Sequence, residues 1–432
     1  MHAEGMLPAR LDTAGDHPAR VRDRDTAPEF PPLLMAGGRP ARVAVIHYWL
    51  VTMRGGERVL EQILSLFPDA DIFTHVAIPE NLSETIRRHR IIETSVARLP
   101  GARKHYNKYL AMMPRALEEL DLSGYDLVIS SESGPAKGVL TPAGAVHVCY
   151  CHSPMRYIWD QYPLYSGTLG KLQRLYFSHL AHRLRIWDVT TAARVDRFVA
   201  NSSFVAERIR RYYGRPADVV HPPVDLSAYS PAPSPAADRP FLFVSELVNY
   251  KRADLAIAAF ARLGLPLVVA GTGADAAALM KDAPANVTFR GRVSAEELTS
   301  LYQNARALVF PPLEDFGIVP LEAMACGVPV IAYGRGGALD SVKDGTTGVF
   351  FHEQTVEAVA DAVKRFMARE ATFDRNAIAA HADGFAPEVF RARFYEIVRE
   401  AMAASPTAGQ PASAPHLVHE DIAGPRRVAA AR

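Results

Sequence analysis

Apolar positions along the chain fall into short continuous runs separated by longer amphipathic stretches. "RVAVIHYWL" (42–50) is a run of the kind carried by a strand buried on both faces. "RGGERVLEQILSLF" (54–67) follows, a glycine turn and then apolar residues at Val59, Leu60, Ile63, Leu64 and Phe67, the spacing of one helix face. "ADIFTHV", "YDLVISS" and "AVHVCYC" are further short strands, and "RFVANSSFVAERIRRYYG" (197–214) reads as strand, Asn/Ser turn and helix. Strands that alternate with helices predict a parallel sheet covered on both faces.

"HPPVDLSAYSPAPSPAADRP" (221–240) interrupts the pattern with prolines and reads as an interdomain linker. The alternation then restarts. "FLFVSEL", "PLVVAG", "VTFRGRV", "ALVFPP" and "PVIAYG" are predicted strands. "ADLAIAAFARLG", "SAEELTSLYQNA", "TVEAVADAVKRFMAR" and "PEVFRARFYEIVREAMA" are predicted helices. The expectation is α/β: two doubly wound, Rossmann-like domains facing across a cleft. The N-terminal domain is 39–225 and the C-terminal one 226–385, with a closing helix at 386–402 that packs back on the first. Segments 1–38 and 403–432 are polar or Ala/Ser/Pro-rich and are expected to be disordered. Ligands of such sheets bind beyond the carboxyl ends of the strands, so the cleft is the expected site.

The length, 432 residues, suits two cores better than one. Lysine plus arginine is 48 against 47 acids, so net charge gives no reason to expect nucleic acid. Three cysteines, Cys149, Cys151 and Cys326, make no disulfide framework and suit a reducing compartment. Cys149 and Cys151 alternate along one strand and point to one buried face, and no second ligand pair stands at metal spacing. No apolar leader and no run long enough to span a bilayer appears, so a soluble or peripheral, cytoplasmic protein is expected.

The stretch "FPPLEDFGIVPLEAMACGVPV" (310–330) concentrates the chemistry. A strand ends at its start, Pro320 suits the first position of a helix, and Gly327 with Pro329 suits its exit. The predicted helix, about 320–326, therefore opens toward the cleft, where free amides and the helix dipole favour an anion. Glu314 lies on the preceding loop and Glu322 in the first turn. They flank the anion position without sharing a helix face, and carboxylates accept hydrogen bonds from sugar hydroxyls. Two carboxylates around a phosphate pocket suit a nucleotide-sugar.

"EDFGIVPLEAMACGVPVIAYGRGGALDSVKDGTTGVFF" resembles the donor-binding signature of the retaining GT-B glycosyltransferases of glycosyltransferase family 4, and the resemblance extends from about residue 43 to 402. It implies that Glu314 contacts the donor sugar and Glu322 the ribose. It also implies that the backbone of Phe316, Gly317 and Ile318 lies against sugar and diphosphate. Lys251-Arg252 precedes a helix, where adjacent cations can neutralise a diphosphate leaving group or simply be solvated. The family pattern there has Gly-Arg where this chain has Ser245-Glu246, and often a glycine where Arg252 stands. Gly55-Gly56 reads as a tight turn, and the resemblance implies a loop that closes on donor and acceptor. His152 ends a strand, at a position that the family often places near the reacting sugar. Arg292-Val293 resembles the segment that seats the base.

"CHSPMRYIWDQY" (151–162) looks like bacterial mannosyltransferases of O-antigen and exopolysaccharide assembly, which implies GDP-mannose as donor and a glycan or lipid-linked acceptor. Transfer without a metal is implied too. The same machinery with a UDP-sugar is the nearest rival, and a non-catalytic sugar-nucleotide-binding scaffold is another. Gly271-x-Gly273 after a strand tempts toward NAD, but no acid ends the next strand, so it reads as a tight turn. Lys171, Arg174, Arg183 and Arg185 among apolar residues in "KLQRLYFSHLAHRLRIWD" give a basic amphipathic helix. It suits either packing on its own core or peripheral contact with the inner membrane leaflet.

Overall fold

The computed structural model describes residues 30–35, 37–232 and 238–405. The expected disordered segments 1–38 and 403–432 lie largely outside the described residues, as does the centre of the proline-rich linker. The first sheet contains β1 (Val43–His47), β2 (Asp71–Thr74), β3 (Ile91–Glu93), β4 (Leu127–Glu132), β5 (Val146–Cys151), β6 (Arg197–Ala200) and β7 (Asp218–Val219). Their order is β3-β2-β1-β4-β5-β6-β7, and every pair is parallel. The second contains β8 (Phe241–Val244), β9 (Leu267–Ala270), β10 (Val287–Gly291), β11 (Leu308–Phe310), β12 (Val330–Tyr333) and β13 (Gly348–Phe351). Their order is β10-β9-β8-β11-β12-β13, again parallel throughout.

Both sheets are doubly wound, and in each the strand order reverses at one place. These switch points lie between β1 and β4 and between β8 and β11, where crevices open above the carboxyl ends. The central strands are buried on both faces because helices cover both, as in all of β1, β4, β5 and β12. The edge strands β3 and β7 and the strand β13 are 3, 2 and 4 residues long, too short to stand out by pattern.

The helix Pro387–Ala404 leaves the second domain and seats on the first. Its Phe390 and Phe394 pack on Tyr150, with ring centroids 5.6 and 5.9 Å away. Those rings belong to one cluster with Val59, Leu60, Ile63 and Val148. Arg391 Nη1 also donates to Gln62 Oε1 at 2.5 Å. This crossing ties the two domains together at the back of the cleft, leaving the front to the loops.

Candidate functional site: the cleft between two switch points

The second domain builds its half of the site from the loops after β8 and β11. After β8 a single helical turn, Asn249–Lys251, delivers Lys251 to the crevice, where its ammonium pairs with the Glu314 carboxylate from the loop after β11. Both side chains are about one-fifth exposed, so the pair is neither dry nor freely solvated. Burial works against the ammonium, and the charge and hydrogen bond of Glu314 together with Tyr250 and Glu246 outweigh it, leaving the Lys251 pKa above its ordinary value. The Tyr250 ring lies 5.3 Å from Lys251 Nζ.

Arg252 does not join them. Its guanidinium turns to the neighbouring Asp254, at 3.1 and 3.2 Å, on the exposed side of the helix Ala253–Leu263. The expected cation pair is therefore a single cation, Lys251. The backbone explains why. Arg252 has φ 58°, the only positive φ outside glycine among the described residues. That left-handed turn sends successive side chains in different directions, and it is the conformation that makes glycine common there. Left-handed backbone costs a non-glycine residue roughly 1–2 kcal/mol, while glycine's looser unfolded chain returns about 0.5–1 kcal/mol. Arg252→Gly is accordingly expected to hold or slightly raise the melting temperature and to leave transfer rates near wild type. A rate loss as large as that of a Lys251 variant would show that Arg252 reaches the donor after all.

The Glu314 loop is shaped by glycine. Gly317 has φ +90° and sits so close to the Phe310 ring that a Cβ would lie 3.0 Å from it. Gly337 donates its amide to Glu314 O at 3.0 Å, and a Cβ there would lie 2.2 Å from Phe316 Cα. The Phe316 ring is buried and stacks 5.3 Å from His221, so only its backbone is available to a ligand. The helix Val319–Ala325 begins one residue earlier than the pattern predicts, with Pro320 in its first turn. Of its first amides, Pro320 has none and those of Leu321 and Glu322 donate to Ile318 O at 2.8 and 3.2 Å. Glu322 is held from behind: Tyr302 donates to its Oε2 at 2.8 Å, and Tyr229 hydrogen-bonds it as well. Burial raises its pKa and the two tyrosine hydroxyls oppose that.

Arg292 is exposed and Val293 buried, just past β10 at the outer edge of the same crevice. Gly271 and Gly273 serve backbone packing. A Cβ at Gly271 would lie 1.8 Å from Ser245 O, and one at Gly273 would lie 2.3 Å from Leu247 O. The loop after β9 is pressed against the loop after β8, which accounts for both glycines without a dinucleotide.

The first domain faces this loop directly. A Cβ on Gly55 would lie 3.7 Å from Ile318 Cδ1, so the Gly55-Gly56 turn abuts the donor-side loop. Gly56 is closely covered, since a Cβ would lie 2.7 Å from the Tyr48 hydroxyl, which would have to shift. His152, one residue past β5, hydrogen-bonds Ser131 Oγ through Nε2 at 2.9 Å. Burial, with His47 nearby, pulls its pKa down to about 3, so the ring is neutral.

Sequence patterns do not reveal what fastens the halves. Asp315, beside Glu314, accepts from Arg208 Nη1 at 2.7 Å and from Arg156 Nη1 at 3.4 Å. Its carbonyl accepts from Ser202 Oγ at 2.5 Å. Arg208 in turn reaches Ser153 Oγ at 2.9 Å, next to His152, and Asp160 Oδ1 at 2.5 Å. This clamp links the Glu314 loop to the His152 loop. Among the described residues no group of three or more His, Cys, Asp or Glu is arranged to hold a metal, and no helix is long and apolar enough to cross a membrane.

Comparison with known proteins agrees with this architecture. Residues 53–228 match the family model Glycosyltransferase Family 4, and residues 231–382 match Glycosyl transferases group 1. The chain is 37% identical over 217 residues to the D-inositol 3-phosphate glycosyltransferase of Mycobacterium avium, covering 44% of this chain and 51% of that one. It is 31% identical over 214 residues to the protein of that name from Mycobacteroides abscessus, covering 44% and 48%. The chain thus spans about half the length of these curated relatives. Among solved structures, sucrose-phosphate synthase from Thermosynechococcus elongatus superposes with a TM-score of 0.63 at 18% identity, over 84% of this chain and 100% of that one. Anabaena HepE in complex with UDP gives 0.60 at 16%, over 83% and 100%. With two Rossmann-like sheets, a cleft between their switch points and a matching family model on each half, the chain belongs to the GT-B glycosyltransferases of the family 4/group 1 type.

Proposed function

We propose that the chain is a retaining hexosyltransferase that moves mannose from GDP-mannose to a glycan or lipid-linked acceptor without a metal. The observation that carries the proposal is the Lys251–Glu314 pair at the β8/β11 switch point, set against the Gly55 turn of the facing domain. In this reading the Lys251 ammonium and the backbone of Phe316, Gly317 and Ile318 at the start of the helix Val319–Ala325 stabilise charge that grows on the diphosphate. The bond between the anomeric carbon and the phosphate oxygen breaks as the acceptor oxygen bonds to that carbon from the same face. The acceptor's proton passes to the departing phosphate oxygen. Glu314 holds sugar hydroxyls, Glu322 the ribose and Arg292-Val293 the base.

Mannose and guanine rest on the "CHSPMRYIWDQY" stretch. A UDP-sugar is the second reading, favoured by the HepE structures in complex with UDP and UDP-glucose, and the curated relatives' name raises an inositol phosphate as acceptor. Thermal unfolding with GDP, UDP and GDP-mannose in EDTA separates the donors. A ligand at 100 times its dissociation constant adds about 2.7 kcal/mol. A shift with GDP and GDP-mannose, and none with UDP, is expected; the reverse would keep the fold family and replace the sugar nucleotide.

Peripheral contact with the cytoplasmic face of the inner membrane is part of the proposal. Supporting it is the helix Lys171–Thr191, which buries Ala181 and Leu184 but leaves Leu172, Leu175 and Tyr176 exposed, Leu172 by 84%, beside Lys171 and Arg174. Arg185 does not belong to that surface, since it donates to Ile158 O at 2.5 Å and covers the Tyr162 ring. Vesicles rich in anionic lipid are expected to pull down the wild type and to lose the Leu172→Glu/Leu175→Glu variant. Equal recovery of both would remove the helix from the proposal.

A further inference from the structure

A row of buried polar groups runs beneath the cleft of the first domain. β1 ends on His47 and β4 on Ser131 and Glu132, and His47 and Ser131 are register partners at the switch point of the sheet. His47 Nδ1 lies 3.1 Å from Ser131 Oγ, and Ser131 Oγ lies 2.9 Å from His152 Nε2. On the far side His47 Nε2 lies 3.6 Å from Glu57 Oε1, and both side chains are almost wholly buried. The other oxygen of Glu57 accepts the Arg54 amide at 2.9 Å, which fixes the carboxylate in place.

One serine hydroxyl stands between two ring nitrogens and owns one proton. It can donate to His47 or to His152, not to both. Glu57 decides between them. A buried carboxylate beside His47 Nε2 favours an N–H there over a lone pair. A neutral His47 protonated at Nε2 turns the lone pair of Nδ1 toward Ser131, and the hydroxyl donates into it. Ser131 Oγ is then free to accept, and what faces it is His152 Nε2, which must carry the proton. The opposite order would aim the lone pair of His47 Nε2 at the carboxylate.

We infer that Glu57, His47 and Ser131 are positioning residues that hold His152 as its Nε2–H tautomer, leaving Nδ1 as a hydrogen-bond acceptor for a hydroxyl of the sugar in the cleft. The sugar's presence rests on the proposed function; the tautomer does not. A neutral His152 suits this role, since an imidazolium would have no lone pair to offer. The row also places its fixed charge, Glu57, two residues from Gly55, where a Cβ would lie 3.7 Å from Ile318 Cδ1 of the opposite domain. The orientation of His152 and the Gly-Gly turn are therefore set by one helix start.

The test is the tautomer of His152 in protein labelled with nitrogen-15 histidine, read from the ring nitrogen shifts without any donor and assigned by the signal lost in His152→Asn. The Nε2–H form is expected in the wild type. Ser131→Ala should leave a mixture of tautomers and lower kcat about tenfold or more with the KM for the sugar nucleotide unchanged, as expected when a general orienting contact is lost. Ser131→Thr, which restores a hydroxyl, should recover the single tautomer. Glu57→Gln keeps an acceptor for the Arg54 amide and removes the charge, so it should blur the tautomer even if Ser131→Ala fails to fold. A wild-type His152 protonated at Nδ1, or a tautomer indifferent to both Ser131→Ala and Glu57→Gln, overturns the inference. A wrong donor sugar would leave these shifts untouched, so the two proposals fail separately.

Discussion

Replacing Lys251 with alanine is expected to lower kcat/KM for transfer by about 100- to 1000-fold, the loss typical when one preorganised charge on a developing anion is removed. Lys251 is the one cation that the loop after β8 turns toward Glu314. Its removal subtracts the charge that meets the diphosphate and leaves the Glu314 carboxylate uncompensated beside it. The two effects act in the same direction. Glu314→Ala should cost turnover as well, and the double variant should cost less than the sum, because the residues share one interaction. Melting temperatures of the single variants should change little, since the pair is partly solvated and such pairs contribute about 1 kcal/mol or less. Steady-state kinetics of the four proteins check this. Unchanged turnover in Lys251→Ala would remove the crevice at β8/β11 from the chemistry.

The largest loss of stability is expected elsewhere, at Lys137. Its ammonium is fully buried, bonded to Glu132 Oε1 at 2.9 Å and paired with Asp188, and neither carboxylate is exposed. Asp188 further accepts from Trp159 Nε1 at 2.7 Å and Tyr213 OH at 3.0 Å, and the Lys137 amide donates to Glu132 Oε2 at 2.6 Å. Breaking such a cluster from one side leaves two buried, like-charged groups, a cost of about 3–5 kcal/mol. Lys137→Ala should lose that much by chemical denaturation. The loss should depend on pH. Burial already lifts the Glu132 pKa to about 7, above its ordinary value, with Lys137 opposing the rise. A carboxyl with a raised native pKa binds more protons folded than unfolded, so its contribution to stability falls as pH rises through that range. Removing Lys137 strengthens this trend, and the variant should be less impaired at pH 5 than at pH 8. A pH-independent loss below about 1 kcal/mol would mean that the cluster is not dry.

The parts of this architecture that could be read along the chain are those whose physics is local. Apolar runs such as "VAVIH" and "VHVCYC" announce buried strands, and Pro320 with Gly327 announces a short helix and its exit. Glu314, Phe316, Gly317 and Glu322 fall within nine residues, so their arrangement around one loop is nearly dictated by sequence. Arg252 shows the limit of adjacency: it neighbours Lys251 in the chain, but one left-handed residue sends the two cations apart. The Asp315 clamp joins residues 107 and 159 positions apart, and nothing in "EDFG" marks the middle acid as the one that crosses the cleft. Nothing in the sequence marks Ser131 and His47, and only the β1/β4 register brings them together. The helix Arg375–Ala382 leaves no mark along the chain because "RNAIAAHA" has too few large apolar residues to show a face.

The central claim is that this cleft transfers a sugar from a nucleotide without a metal. The most direct measurement follows nucleotide release from GDP-mannose, and from UDP-glucose in parallel, by purified wild type and Lys251→Ala in EDTA. Water serves as the acceptor where none is supplied. The predicted result is GDP release by the wild type, little UDP release, and loss of release in Lys251→Ala. Tight binding of either nucleotide with no release from either donor would contradict it and leave a sugar-nucleotide-binding scaffold in its place.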